Sequence, residues 1–144
     1  MNWKEYGYIG SLGNWRDASA GSMTYRPYVT IYIHHGDKSI PIDALVDSGS
    51  DGMVINAVLA KDLGIDSSKC PHKSLGGATG LRDGFTSDVS YEVDGFPKEV
   101  IETKAIFISD LPVACLVGQK DFFDRFIVQF EKCNNVLKLA KAPK

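Results

Sequence analysis

From Tyr28 the chain alternates, with Val29, Ile31 and Ile33 on one side of a two-residue period and Tyr28, Thr30 and Tyr32 on the other. That period in β-branched and aromatic residues predicts a strand with one buried face. Gly36-Asp37 supplies a turn, and Ser39 to Val46 predicts a second strand with Ile40, Ile42, Ala44 and Val46 on one face. Pro41 has no N–H to give to a ladder, so its part of that strand is expected at an edge. Asn56 is a candidate cap for a short helix from Ala57 to Leu63, stopped by Gly64. Strands are then predicted around Thr86–Val93 and Glu99–Ile108, joined by Asp94-Gly95. Val113–Val117 is a short apolar run consistent with a buried strand, and Asp121 to Phe126 reads as a turn or two of helix. Phe122, Phe123 and Phe126 there are expected in the core. Ile127–Glu131 and Val136–Leu139 are the last predicted strands, with Asn134-Asn135 between them.

Ahead of Tyr28 the pattern fails. Between Met1 and about Met23, the aromatics Trp3, Tyr6, Tyr8 and Trp15 are scattered among Gly, Ser and Asn. Aromatics argue against disorder, so an irregular arm with one short strand near Tyr6–Ile9 is expected. The expected organisation is an arm over residues 1–23 and an all-β domain over residues 24–144, with one or two short helices and no internal repeat.

A chain of 144 residues suits a single core. Its net charge of −2 offers no basic footprint for nucleic acid and no acidic tail. No stretch is apolar enough to span a bilayer, and Met1-Asn2-Trp3-Lys4-Glu5-Tyr6 lacks the apolar run of a signal peptide. Cys70, Cys115 and Cys133 are odd in number and widely spaced, which reads as reduced thiols of a cytoplasmic protein. Neither a nucleic acid nor a membrane is expected as a partner.

The chemistry concentrates in Ala44-Leu45-Val46-Asp47-Ser48-Gly49-Ser50. An apolar run delivers a carboxylate, which is costly to bury unless it is paired or working. Gly49 allows a sharp turn, and the hydroxyls of Ser48 and Ser50 are expected to fix the carboxylate by hydrogen bonds. Leu75-Gly76-Gly77-Ala78-Thr79-Gly80-Leu81 suits the tip of a mobile hairpin. Plainer readings stand beside these. Asp47 could be a structural acid at a turn. A calcium loop starting at Asp47 would need a bidentate Glu where Val58 stands. The glycines lack the Gly-Lys-Ser/Thr of a phosphate loop. His34-His35 and Cys70-Pro71-His72 have no second pair at metal-site spacing and read as surface residues. No metal and no cofactor is expected.

Four blocks in this order resemble the retroviral-type, or retropepsin-like, aspartic proteases. They are Arg26-Pro27-Tyr28-Val29-Thr30-Ile31, Ala44 to Ser50, Leu75 to Gly80, and Leu116-Val117-Gly118. The resemblance implies an all-β closed barrel of the acid-protease kind, one lobe per chain, with a helix after Gly118. It implies a homodimer acting on peptide or protein substrates, because each chain holds one Asp-Ser-Gly and two carboxylates must share a proton. By resemblance, Asp47 is catalytic, and Ser48, Gly49, Ser50 and Gly118 support it. Gly49, Asp51 and a flap of Leu75, Gly76, Gly77, Ala78, Thr79 and Gly80 contact substrate. Arg26 reaches from the other subunit to Asp51. Gln119 stands where retroviral enzymes carry arginine, so a charge-assisted contact to Asp51 is replaced by that of a neutral amide. A catalytically silent, dimeric peptide-binding module is the competing use of the same fold. The intact Asp-Ser-Gly favours the enzyme.

Overall fold

The computed structural model of the protein describes residues 1–12, 23–77 and 80–144. Their strands are β1 (Lys4–Gly7), β2 (Ile9–Leu12), β3 (Met23–Arg26), β4 (Tyr28–His35), β5 (Lys38–Val46) and β6 (Val54–Asn56), followed by β7 (His72–Gly77), β8 (Gly80–Val93), β9 (Ile101–Ile108), β10 (Cys115–Val117), β11 (Phe126–Glu131) and β12 (Val136–Lys141). Helix among the described residues is confined to single turns, and no helix is long and apolar enough to cross a membrane.

The predicted β4–β5 hairpin forms with Gly36 at φ +57° in its turn. Strand order β4-β5-β10-β6-β9-β8, with β4 also pairing β8, closes a barrel, and β7 extends it beyond β8. Two of the junctions decide where the site goes. β10 lies parallel to β5 (Val117 opposite Val46) and antiparallel to β6 (Leu116 opposite Val54). A strand from late in the chain is thus slotted between two that are nearly consecutive. Because β10 reaches only Ala44 to Val46, Pro41 has β4 alone beside it, which is the edge that its missing N–H requires.

The alternating faces fill the barrel. Val29, Ile31 and Ile33 from β4, Ala44 and Val46 from β5, and Tyr91, Ile101, Ala105, Phe107, Cys115 and Val117 are all buried in one cluster. Phe85 and Phe107 stack with ring centroids 5.0 Å apart. Cys115 is fully buried, and burial pushes its thiol up, so it packs rather than reacts.

The first strand does not wander as an irregular arm. β1 pairs β12, which pairs β11, in a second sheet, and Tyr6 packs against the core while its hydroxyl donates to the Asp94 carbonyl oxygen. β2 and β3 form a separate hairpin joining Ile9 to Arg26. Trp15, also assigned to the arm, lies outside the described residues.

Both expected helices shrink. After Asn56, whose side chain accepts the Val58 N–H as a cap should, only Ala57–Leu59 forms a 3-10 turn; irregular turns follow to Gly64 at φ +69°. After Gly118, a single wide turn over Gln119–Phe123 is broken by extended Lys120 and by Asp121 at φ +74°. Asp121 is held there by the Thr103 hydroxyl, and Phe126 starts β11 instead of ending a helix. Phe122 and Phe126 are nonetheless buried, with centroids 5.1 Å apart, and Phe123 packs against the same cluster.

Candidate active site

The loop from Asp47 to Met53 must cross from β5 to β6 over the end of β10. Its backbone is fastened to that end from both sides. The Asp47 N–H donates to Val117 O at 2.9 Å, the Gln119 N–H to Ser50 O at 2.8 Å, and the Lys120 N–H to Asp51 O at 2.8 Å. The Gln119 side-chain amide adds a 2.6 Å bond to Ser48 O. Gly118 passes so close beneath that a Cβ there would sit 2.2 Å from Ser50 O. Glycine is required at this position by contact, not by dihedral angle, since its φ of −136° is ordinary extended backbone.

Within the loop, Ser50 N–H donates to Asp47 O at 3.1 Å, and Gly49 N–H donates to Asp47 Oδ1 at 2.9 Å. The carboxylate is therefore fixed by the Gly49 amide, not by the hydroxyls expected to hold it. Ser50 Oγ donates instead to Gly52 O at 2.8 Å, and Ser48 is exposed. A backbone donor within the same tight turn reaches Oδ1 without ordering a second side chain. Asp47 itself is half-buried, and its other oxygen has no hydrogen-bond partner among the described residues.

Asp47 opens into a cleft of about 520 Å³. Gly49, Ser50, Asp51 and Gly52 form one side; Leu75 and Gly76 of the β7–β8 hairpin also line it, as do Thr86, Ile106 and Leu116. The hairpin pairs from His72 opposite Phe85 to Gly77 opposite Gly80, with Gly80 at φ +109°. Ala78 and Thr79 at its tip lie outside the described residues. Because β8 continues from this hairpin into the barrel wall, pairing β9 and then β4, the hairpin is an extension of the core.

The remaining site residues fall further out. Arg26 ends β3 opposite Ile9, and neither it nor exposed Asp51 takes part in an ion pair among the described residues of this one chain. Gln119, expected beside the Asp51 carboxylate, spends its amide on the Ser48 carbonyl, because the loop turns that carbonyl toward it. His34 contacts Glu92 at 3.3 Å and His35 the Leu63 carbonyl at 2.9 Å. No set of three or more His, Cys, Asp or Glu side chains placed to hold a metal ion occurs among the described residues. Sequence reasoning missed Lys73, Lys104 and Lys120, which line the Asp47 cleft from three separate elements. No local spacing joins them.

This geometry can be set beside known proteins. A family described as aspartyl protease matches residues 29–119. No curated protein matches the sequence. In fold, the chain is similar to a retropepsin-like aspartic protease from Rickettsia conorii, with 19% identity, TM-score 0.60, and coverage of 96% of this chain and 95% of that one. It is similar to the EIAV protease solved with the inhibitor HBY-793 at 24% identity and TM-score 0.55, covering 69% and 86%. The retroviral protease-like domain of Ddi1 from Leishmania major follows at 16% and 0.54, covering 82% and 94%. The family match runs from β4 through the Asp47 loop to Gln119, and so takes in every strand of the closed barrel. Carrying a single Asp-Ser-Gly on that one-lobed barrel, the chain belongs to the aspartyl protease family and has a retropepsin-like fold.

Proposed function

We propose that the protein is an aspartic endopeptidase whose active site is completed by a second copy of the chain. The observation that carries this reading is the state of Asp47. One carboxylate oxygen is clamped by the Gly49 N–H, and the other has no hydrogen-bond partner among the described residues and lines a peptide-sized cleft. A carboxylate so placed, alone, is a poor hydrolytic catalyst; beside its copy it shares one proton, because two negative charges a few ångströms apart cannot both persist.

The ionised Asp47 takes a proton from a bound water as that water attacks the scissile carbonyl carbon. The protonated Asp47 gives its proton to the carbonyl oxygen. The resulting gem-diol collapses as a diol proton returns to one carboxylate and the amide nitrogen is protonated from the dyad, breaking the C–N bond. No covalent enzyme intermediate forms. Gly49 brings its backbone against the substrate, Ser48 hydrogen-bonds across the dimer beneath the dyad, and Asp51 meets Arg26 of the other copy. The β7–β8 hairpin serves as the flap: Leu81 near its tip is 80% exposed, an apolar side chain available to cover a bound peptide.

Asp47→Asn tests the reading, since the amide keeps the shape but cannot act as base. Cleavage of a peptide library should vanish, while the melting curve and sedimentation stay those of the parent. Comparable turnover by the purified variant refutes the assignment, and an inactive parent that still binds peptide points to the silent binding module.

A further inference from the structure

We infer that the Asp47 cleft selects peptides carrying acidic side chains near the bond to be cut, and that Lys73, Lys104 and Lys120 are the residues that read them. The cleavage part rests on the endopeptidase reading above; the binding part rests on the cleft alone.

The three lysines come from β7, from β9 and from the segment just after β10, yet all line the cleft that holds Asp47. All three are exposed, and none belongs to an ion pair among the described residues, where the pairs use His34, Lys138 and Lys141. Asp88 stands opposite Lys104 on the β8–β9 ladder without an ion-pair contact and does not line the cleft. The carboxylates that do line it are Asp47 and Asp51. In the two-fold assembly six ammonium groups would face two Asp51 carboxylates and one dyad bearing a single negative charge. The cleft is therefore cationic in a chain whose net charge is −2. Leu75, Ile106 and Leu116 line the same cleft and reduce the water around a bound peptide, which strengthens its pairing with the lysines. A substrate carboxylate arriving there separates no salt bridge among the described residues and relieves repulsion among like charges.

The test uses paired fluorescent peptides differing only by Glu against Gln at the positions flanking the cleavage point, at pH about 6, where a free glutamate is ionised. Binding is measured on the Asp47→Asn protein and kcat/KM on the parent. The Glu peptide should be preferred in both, and each Lys→Gln change should reduce the preference by about two- to fivefold, the range of an exposed charge pair. Raising salt should shrink it. Lys104→Glu should push the preference toward a peptide with Lys at the same positions. Equal binding of Glu and Gln peptides, or a preference that survives the triple Lys→Gln protein, overturns the inference and leaves the endopeptidase reading standing. Discriminating binding by Asp47→Asn with no cleavage by the parent sustains the inference and removes the catalytic reading.

Discussion

Gly118→Ala isolates the packing that holds the Asp47 loop over β10. The added Cβ would lie 2.2 Å from Ser50 O, 2.7 Å from Ser50 C and 2.9 Å from Ser50 Cβ, and two of those atoms are backbone that cannot rotate aside. Relief requires the loop and the chain after β10 to part by about 1 Å, the gap between such an overlap and an ordinary van der Waals contact. The bond from Gln119 N–H to Ser50 O, 2.8 Å long, is directly in the path, and that from Lys120 N–H to Asp51 O is next to it. Overpacking at about 1–3 kcal/mol, together with one weakened bond at about 1 kcal/mol, predicts a loss of about 2–4 kcal/mol. Urea unfolding should show a lower midpoint at unchanged slope. Gly7→Ala is the control: nothing lies within 4 Å of a Cβ there, and its φ is not left-handed, so the change should be neutral or stabilise by about 0.4–1 kcal/mol. If the protein is the peptidase proposed, Gly118→Ala should also slow cleavage by about 100-fold, since an ångström of misplacement is costly at a reacting centre. A Gly118→Ala protein within 0.5 kcal/mol of the parent would refute the close-approach reasoning.

Other outcomes are equally checkable. Burial, with the Asp94 carboxylate adding, pushes the half-buried Tyr6 hydroxyl up to about 12. A raised folded-state value means that Tyr6 contributes its stability in full below pH about 10 and loses it as pH climbs through about 12. Tyr6→Phe should flatten the parent's loss across that window by about 1 kcal/mol, discounted for exposure, as followed by urea midpoints; parallel curves would exclude the effect. Hydrogen bonding to Lys138, foremost, holds the Glu131 carboxyl below its usual range, so its share of stability is present above the ordinary glutamate value and fades as pH falls further. Lys138→Met should reduce that acid-side dependence, leaving the share due to Asn134 and Gln129, and an unchanged slope below pH 4.5 argues against it. If the site is completed by a second copy as proposed, specific activity should fall on dilution, and Arg26→Ala should make that fall begin at higher concentration. Sedimentation run beside the assay decides, and a fully active monomer refutes the shared site.

The barrel strands were legible because each needs one dry face, and a period of two records it. β4, β5 and the bulk of β8 and β9 fall where the alternation puts them. The Asp47 loop was legible through the glycine and hydroxyls that suit a tight turn, whereas Gly118 was marked only by a block that resembles the family, and its close approach to Ser50 had no local trace. Strand order was not, because the slotting of β10 between β5 and β6 is a long-range pairing with no local trace. The helices were overread for a related reason. The spacing of Phe122, Phe123 and Phe126 fits a helix face, but the Thr103–Asp121 contact holds a left-handed residue that ends the turn early. β1 was half-seen: Tyr6 signalled order, yet its partner strand runs through Leu137 at the far end of the chain. Lys73, Lys104 and Lys120 could not be seen, since an exposed lysine on a strand or turn looks alike wherever that segment points.

The late strand between two early ones has a consequence for the order in which the molecule comes into being. Ser48 and Gln119, which share a hydrogen bond, are 71 residues apart. At about 5–20 residues per second, a nascent chain waits roughly 4–14 s between making the Asp47 loop and making the strand that anchors it. Through that interval β5 and β6 lack the strand that fills the gap between them, and a non-local closure of this kind is among the slower steps available to a small domain. The loop's anchors at Val117 and Gln119 do not yet exist, so neither does a fixed Asp47. Whatever this site can do therefore begins only after the chain has passed Gln119.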